Sequence, residues 1–150
     1  MGVRVGTGVD AHRFGPGRPL MLGTVLVEHD EGLVGHSDGD VIAHAVCDAL
    51  LAASGQPDIG VLFPGGPEWE GVTGARMLEI VVERIRGAGF AIGAICERPR
   101  LAPHREAMVR SMSEIAGAPV TVHATTTDGL GALGRGEGVA CHAVALVEGP

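Results

Sequence analysis

The stretch that most constrains the fold is a polar segment that leads directly into an apolar run. Residues 35–40 are Gly-His-Ser-Asp-Gly-Asp, and Val-Ile-Ala-His-Ala-Val-Cys-Asp-Ala-Leu-Leu follows. Ser37 and Asp40 have capping-box spacing, so we expect a helix over residues 35–54 that Ser37 caps. Its apolar stripe consists of Ile42, Ala45, Val46, Ala49, Leu50 and Ala53. His44 falls nearly opposite this stripe and is therefore a candidate functional residue.

The composition favours one domain with a thin core. The 150 residues are 45% hydrophobic but only 3% aromatic, with 25 glycines, so small aliphatic side chains must build the interior. A chain of this length buries roughly 70% of the surface that it exposes when unfolded. We therefore expect a single domain over residues 1–150, with a further buried surface between subunits.

The other elements follow from apolar spacing and from glycine and proline positions. Strands are expected at residues 3–14, 20–28, 90–96, 120–127 and 139–147, and further helices at 75–86 and 104–116. The second strand should form a hairpin with the first, and residues 57–67 and 129–138 should be loops. This order predicts an α+β fold, a two-layer α/β sandwich in which one mixed β-sheet carries the helices on one face.

Asp10, His12 and His44 form a candidate metal site. Asp10 and His12 lie two residues apart on the first predicted strand, so their side chains share one face. His44 joins them if this strand runs beside the first helix. Three protein ligands leave one tetrahedral position open, which is the catalytic pattern for zinc, but the set also suits an iron(II) oxygenase. From spacing alone, two unrelated exposed histidines are about equally expected.

Two further segments carry groups that bind phosphate. His36 and Ser37 offer a ring N–H, a hydroxyl and free backbone amides at the expected helix start. Residues 125–127 are three threonines, followed by Asp128 and a glycine-rich loop that contains Arg135. Threonine is an ordinary strand residue and the loop lacks Walker or Rossmann spacing, so a purely structural interpretation stays open here.

Charge and cysteine content limit the classes of partner. The formal charge is -7 and the pI is near 5.4, which disfavours binding to nucleic acid or to an anionic membrane. Cys47, Cys96 and Cys141 are far apart and form no Cys-x-x-Cys pair, so neither a zinc knuckle nor a disulfide framework is indicated. We expect no signal peptide, no membrane span and a cytoplasmic location.

Five blocks of sequence together resemble one enzyme family. They are Gly-Val-Asp-Ala-His-Arg-Phe at 8–14, His-Ser-Asp-Gly-Asp at 36–40 with His44 and Asp-Ala-Leu-Leu at 48–51, Asp-Ile-Gly at 58–60 with Leu-Phe-Pro at 62–64, Ala-Thr-Thr-Thr at 124–127, and Gly-Arg-Gly-Glu-Gly at 134–138. In this order they resemble the 2-C-methyl-D-erythritol 2,4-cyclodiphosphate synthase family. The resemblance spans almost the whole chain, and it favours a functional role for His12 and His44.

The resemblance implies a homotrimer with active sites between adjacent subunits and zinc held by Asp10, His12 and His44. Its implied substrate is a cytidine diphosphate ester of methylerythritol 2-phosphate, whose 2-phosphate attacks the β-phosphorus, cyclises and expels CMP. His36 and Thr126 would stabilise the transition state, and Ser37 would hold a phosphate oxygen. Mg²⁺ or Mn²⁺ would bridge the diphosphate at Asp128.

The resemblance also implies a larger set of substrate contacts. Besides the residues just named, these are Asp58, Ile59, Gly60, Phe63, Pro64, Arg100, Leu101, Ala102, Thr125, Thr127 and Arg135. A non-catalytic trimer that binds a nucleotide or an isoprenoid diphosphate is the alternative function. The sequence alone leaves both functions open.

Overall fold

One mixed five-stranded sheet organises the fold, and the computed structural model describes it within residues 2–85 and 88–148. The strands are β1 (Val3–Gly15), β2 (Leu20–Leu22), β3 (Val25–Val27), β4 (Gly32–Leu33), β5 (Ala88–Cys96), β6 (Val120–Thr125) and β7 (Gly138–Glu148). The sheet order is β4-β1-β7-β5-β6, and β2 and β3 form a separate two-stranded sheet. Only the β5–β6 pair is parallel among these ladders. The expected mixed sheet is therefore confirmed.

The helices cover one face of this sheet and leave the other face open. They are α1 (Val41–Ala53), α2 (Ile59–Leu62), α3 (Gly74–Arg84), α4 (Arg105–Ala116) and α5 (Gly131–Gly134). Along β7, Cys141, Ala143 and Ala145 are buried, whereas the alternate residues His142 and Leu146 are exposed. This alternation is that of a strand with one covered face, which confirms the predicted α+β arrangement.

Helix α1 lies closer to the sheet than its single predicted stripe implies. Eleven of its 13 residues are buried, and His44 is only 6% exposed. Gly6 and Gly8 on β1 permit this depth, because a Cβ at either position would lie 2.1 or 2.0 Å from a carbonyl oxygen of α1. The two glycines thus bring β1 and α1 into contact, which places Asp10 and His12 beside His44.

The predicted start of the first helix is wrong. Helix α1 begins at Val41, and its cap is Asp40, whose carboxylate accepts the N–H of Ala43. Gly39 has a φ of 76°, a left-handed conformation that stops the helix from extending toward Ser37. Ser37 instead accepts the N–H of Gly39 at 3.1 Å. Residues 35–39 are therefore a loop in front of the helix.

The predicted hairpin between the first two strands is also wrong. Residues 20–28 contain two short strands, β2 and β3, which pair with each other across a turn. Gly23 and Thr24 form this turn with φ values of 59° and 64°, the two positive values that a tight hairpin turn requires. Strand β1 pairs with β7 along its length, because their apolar faces both meet α1.

The remaining boundaries agree with the prediction to within a few residues. Helix α3 covers most of the predicted 75–86 segment, but the predicted end at residues 86–87 lies outside the described residues. A 3₁₀ turn, Ala102–His104, precedes α4. Both predicted loops contain one short helix, α2 and α5. Within the described part of the chain, no helix is long and apolar enough to cross a membrane.

Candidate active site

Asp10, His12 and His44 meet near the end of β1, where α1 passes beside the strand. Oδ2 of Asp10 lies 2.9 Å from Nε2 of His12 and 3.0 Å from Nδ1 of His44. The two ring nitrogens are 3.3 Å apart. These three atoms face one point, and they form the potential metal-binding cluster that the sequence predicts.

A contact on the outer nitrogen of each histidine orients its ring. Nδ1 of His12 donates to the carbonyl oxygen of Val34 at 2.6 Å, which leaves Nε2 without a proton in the neutral ring. Nε2 of His44 lies 3.0 Å from the hydroxyl oxygen of Ser37, so Nδ1 faces Asp10. Outer contacts of this kind typically orient metal-binding histidines. The donor set of two nitrogens and one carboxylate oxygen fits zinc or iron(II).

The groups in this cluster change one another's protonation. Burial alone would raise the pKa of Asp10, but hydrogen bonds from His12 and His44 outweigh it and hold the pKa well below its usual value. The hydrogen bond to Asp10 raises the pKa of His12, and burial opposes this rise. Asp10 is therefore a carboxylate at neutral pH, and protons compete with a metal ion for His12.

The loop at residues 35–40 presents His36 and Ser37, and its aspartates hold it in place. Asp38 accepts the N–H of Gly74 at 2.9 Å, which ties the loop to the start of α3. Asp40 is fully buried, and its carboxylate accepts backbone N–H groups from Gly23, Thr24 and Ala43. In this loop, His36 and Ser37 therefore face the site, whereas Asp38 and Asp40 anchor the backbone.

A cavity of about 170 Å³ opens beside the triad. The predicted site residues that line it are His12, His36, Ser37, His44, Ile59, Gly60, Phe63 and Pro64. Pockets for drug-sized ligands measure about 300–1,000 Å³. This cavity therefore holds only part of a ligand as large as a cytidine diphosphate ester.

Asp48 connects the wall of this cavity to α1, the helix that contains His44. Its Oδ1 accepts the N–H of Ile59 at 2.9 Å, and it lies one turn after His44 on α1. Asp58 caps α2 by accepting the N–H of Val61, and its side chain is exposed. Helix α1 thus supplies one triad ligand and also fixes the segment that contains Ile59.

A second group of predicted residues lies on the opposite edge of the sheet. We call residues 100–102 and 125–128 the β6-side group, and the triad with residues 36–37 and 58–64 the β1-side group. Because β5 and β6 are parallel, the segments that follow them leave the sheet at the same end. Most β6-side residues are exposed, whereas Leu101 is buried.

The two groups are level with each other but separated by the width of the sheet. Asp10 pairs with Cys141, Cys141 pairs with Ala94, and Ala94 pairs with Ala124. Three strand spacings therefore separate Asp10 from Ala124, which is roughly 14 Å. No β6-side residue lines the cavity beside the triad in the described part of the chain. Within one copy of the chain, the structure does not bring the two groups together.

Comparison with known proteins decides the family. The model of the YgbB family matches residues 3–148. The chain belongs to the YgbB family. The "Bifunctional enzyme IspD/IspF" of Erythrobacter litoralis is 47% identical over 154 residues, which are 97% of this chain and 40% of that protein. The chain thus spans about 40% of the length of the bifunctional relatives that it matches.

Other YgbB-like proteins match the chain over most of their own length. The 2-C-methyl-D-erythritol 2,4-cyclodiphosphate synthase of Syntrophobacter fumaroxidans is 47% identical over 97% of this chain and 97% of its own. A solved structure of 2-C-methyl-D-erythritol 2,4-cyclodiphosphate synthase bound to CDP has a TM-score of 0.85 and 38% identity. The match covers 97% of this chain and all of the chain in that structure. The predicted resemblance to this family is therefore confirmed.

Arg135, in the block at 134–138, is not among the described residues that line the cavity, and its neighbour Gly134 packs against the backbone of Gly129. Arg135 is exposed, and its Nε donates to Oε1 of Glu137 at 2.6 Å. The carbonyl of Glu137 accepts the N–H of Phe14, which holds this segment against the end of β1. Arg135 and Glu137 thus form an exposed ion pair.

The sequence interpretation missed Trp69 and Arg18. Trp69 lines the cavity and packs edge-on against Phe63, with ring centroids 4.9 Å apart. A tryptophan six residues after Phe63 in a proline- and glycine-rich loop is the signal that could have indicated this pair. Arg18 donates hydrogen bonds to two carbonyls of the loop at 35–40. No sequence pattern indicates that contact.

Proposed function

We propose that the chain is a 2-C-methyl-D-erythritol 2,4-cyclodiphosphate synthase. It would convert 4-diphosphocytidyl-2-C-methyl-D-erythritol 2-phosphate to the cyclodiphosphate and CMP in non-mevalonate isoprenoid synthesis. The observation that carries the proposal is the triad of Asp10, His12 and His44 beside a cavity that His36 and Ser37 also line. Membership of the YgbB family and the likeness to a CDP-bound synthase support it.

The reaction needs positioning and charge stabilisation more than a protein nucleophile. An oxygen of the 2-phosphate forms a bond to the β-phosphorus, and the bond from that phosphorus to the bridging oxygen breaks. CMP leaves with that oxygen and its electron pair. Because the attacking phosphate is already anionic at neutral pH, no general base is required. Holding both groups in line supplies on the order of 7–11 kcal/mol.

The residues of the β1-side group have distinct proposed roles. Zinc held by Asp10, His12 and His44 would supply Lewis-acid stabilisation of phosphate oxygens. His36 and Ser37 bind and orient the phosphate, and Asp58, Ile59 and Gly60 contact the methylerythritol hydroxyls. Phe63 and Pro64 close the apolar wall of the cavity and exclude water.

The residues of the β6-side group would bind the nucleotide end of the substrate. Residues 100–102 form the cytosine pocket in this proposal, and Thr125, Thr126 and Thr127 bind the diphosphate, with Thr126 stabilising the transition state. Asp128 would hold Mg²⁺ or Mn²⁺. Its exposed carboxylate, next to threonine hydroxyls, offers the oxygen ligands that these ions prefer. Arg135 is a further proposed substrate contact, and its guanidinium is paired with Glu137 in this structure.

The arrangement of the two groups supports a homotrimer with shared active sites. In a ring of copies, the β1 edge of one subunit would meet the β6 edge of the next. The two groups lie at the same level of the sheet, which supports such a contact. The open sheet face supports the same assembly. Its apolar residues Val3, Val5, Val9 and Leu146 are 64%, 61%, 69% and 50% exposed.

The domain and its location complete the proposal. We take residues 1–150 as one synthase domain with a small-molecule cytidine diphosphate substrate and no nucleic-acid or membrane partner. A cytoplasmic location is proposed because Cys47, Cys96 and Cys141 are free and buried. Burial raises the pKa of Cys96 to about 11 and that of Cys141 to about 12, so neither is a reactive thiolate.

Release of CMP tests the function directly. The zinc-loaded protein is incubated with its cytidylyl substrate and Mg²⁺, and CMP and the cyclodiphosphate are quantified by phosphorus NMR. We expect equal amounts of both products. Tight CDP binding by calorimetry without CMP release would overturn the synthase and favour the non-catalytic binding trimer. Iron instead of zinc in the purified protein would contradict the metal assignment.

A further inference from the structure

Arg18 holds the loop that presents His36 and is not among the described residues that line the cavity. Its Nη1 donates to the carbonyl of Gly35 at 2.9 Å, and its Nη2 donates to the carbonyl of Ser37 at 2.5 Å. These carbonyls belong to the residues before and after His36, so one guanidinium joins the two sequence neighbours of His36. We propose that Arg18 is a positioning residue that fixes His36 and Ser37 relative to the triad. Its catalytic consequence rests on the proposed function.

The bridged segment touches both histidines of the triad. Gly35 packs on the ring of His12, since a Cβ at Gly35 would lie 3.2 Å from Cε1 of that ring. At the other end, the hydroxyl oxygen of Ser37 lies 3.0 Å from Nε2 of His44. Arg18 therefore holds the two residues that contact the metal-binding rings. Displacing the segment would move His36 and would also release the outer contact of His44.

No other backbone group in the described loop satisfies these two carbonyls. The carbonyl of His36, between them, accepts the N–H of Gly71 at 2.9 Å, and the N–H of Asp38 donates to Val72 at 3.1 Å. Among the hydrogen bonds of the described residues, Arg18 is the donor to Gly35 and to Ser37. Without its side chain, two partly buried carbonyls lose their partner, and the loop must move or bind water.

The backbone of Arg18 is itself fixed by the sheet. Gly32 of β4 lies so close to this segment that a Cβ would be 2.3 Å from the carbonyl oxygen of Pro19 and 2.6 Å from that of Arg18. Strand β4 in turn pairs with β1 through Phe14 and Leu33. The guanidinium therefore connects a rigid part of the sheet to the loop, as a positioning group must.

The geometry also separates this role from that of a substrate ligand. Arg18 is not among the described residues that line the cavity, and both of its terminal nitrogens already donate to backbone oxygens. A planar guanidinium spans two carbonyls at once, whereas the single ammonium of lysine does not. Loss of Arg18 should therefore lower kcat and leave KM nearly unchanged.

The test compares Arg18→Ala and Arg18→Lys with Arg76→Ala. Arg76 is a matched control, because its guanidinium makes an exposed ion pair with Glu79 on α3. We expect kcat for CMP release to fall about 10–100-fold in Arg18→Ala and about 10-fold in Arg18→Lys, as for other outer contacts of a metal site. Added guanidinium ion should restore part of the kcat of Arg18→Ala, and Arg76→Ala should match the wild type.

Amide hydrogen exchange gives a second readout that does not depend on activity. Exchange at residues 35–39, followed by mass spectrometry, should be faster in both Arg18 variants and unchanged in Arg76→Ala. If Arg18→Ala fails to fold, Arg18→Lys carries the test. A wild-type protein that releases no CMP would refute the proposed function, and the exchange rates would still decide the role of Arg18.

Two outcomes would overturn the inference. In the first, the Arg18 variants keep wild-type kcat and wild-type exchange at residues 35–39, which means that the loop holds itself. In the second, KM rises about tenfold or more with kcat unchanged, which is the behaviour of a residue that binds substrate uniformly.

Discussion

The β1-side and β6-side groups differ in how firmly the chain holds them. On the β1 side, Val34 and Ser37 contact the outer nitrogens of the triad histidines, and Asp48 fixes the segment at Ile59. On the β6 side, the hydrogen bonds of Thr125, Thr127 and Asp128 among the described residues stay within residues 125–130, and most of the group is exposed.

This difference shows which part of the chemistry one chain can organise alone. A metal site needs ligand atoms fixed to within about half an ångström. The contacts of the β1-side group hold the side chains of the potential metal-binding triad in place. Among the described residues, the β6-side group has no comparable support, so under the proposed function its geometry would come from the substrate and from the neighbouring subunit.

The largest effect is expected from removing a triad ligand. His44→Ala should reduce bound zinc to background and lower kcat more than about 1,000-fold, beyond the 10–100-fold typical of outer contacts. Zinc is measured by atomic emission after gel filtration. His29→Ala is the matched control, since His29 stacks on Phe14 outside the triad. Full zinc occupancy in His44→Ala would refute the ligand assignment.

The next effect concerns the open face of the sheet. Val5→Asp places a charge on a residue that is 61% exposed in one copy, so the isolated chain should tolerate it. If that face is buried between subunits, the variant should be monomeric and at least about 100-fold less active. Analytical ultracentrifugation measures the mass. Leu26→Asp on β3, which is 65% exposed, is the control and should remain trimeric.

The β1-side group was largely predictable from the sequence because its signals are local. Asp10 and His12 share a face through strand periodicity, and His44 stands out from the apolar pattern of α1. The cap of α1 was not predictable, because Ser37 and Asp40 both have capping chemistry. The positive φ of Gly39 decides between them. Likewise, Arg18 contacts carbonyls 17 and 19 residues away, which no local pattern encodes.

The pairing of β1 was not predictable for a related physical reason. The sequence offers residues 20–28 as the nearest partner, and a short loop favours a hairpin. Strand β7 is far along the chain, but its buried alanines and those of α1 fit the flat surface around Gly6 and Gly8. Packing of small residues therefore outweighs sequence proximity, and it also brings His12 to His44.

Mixing two inactive variants tests whether the two groups belong to different subunits. Thr126→Ala should lower kcat about 10–100-fold while zinc content stays at the wild-type level. After unfolding and joint refolding of Thr126→Ala with His44→Ala in equal amounts, about one quarter of the shared sites combine two intact groups. Activity should therefore recover to about one quarter of the wild-type value. No recovery in mixed trimers would place both groups in one subunit.

The smallest effect is expected at Asp48. Substitutions there can separate the contribution of its charge to stability from that of its hydrogen bond to the N–H of Ile59. Burial raises the pKa of Asp48, so its ionised form costs stability in full above the folded pKa. This cost shrinks as the pH falls below the folded pKa and is gone below the unfolded pKa. Asp48→Asn keeps an acceptor for the N–H of Ile59 but removes the charge. Its Tm should exceed that of the wild type by a few degrees at about pH 8, and the difference should vanish near about pH 4.

Scanning calorimetry across this range, with Asp48→Ala as the variant that lacks the acceptor, measures both contributions. A lower Tm for Asp48→Asn at about pH 8 would mean that the charge of Asp48 stabilises the segment at Ile59.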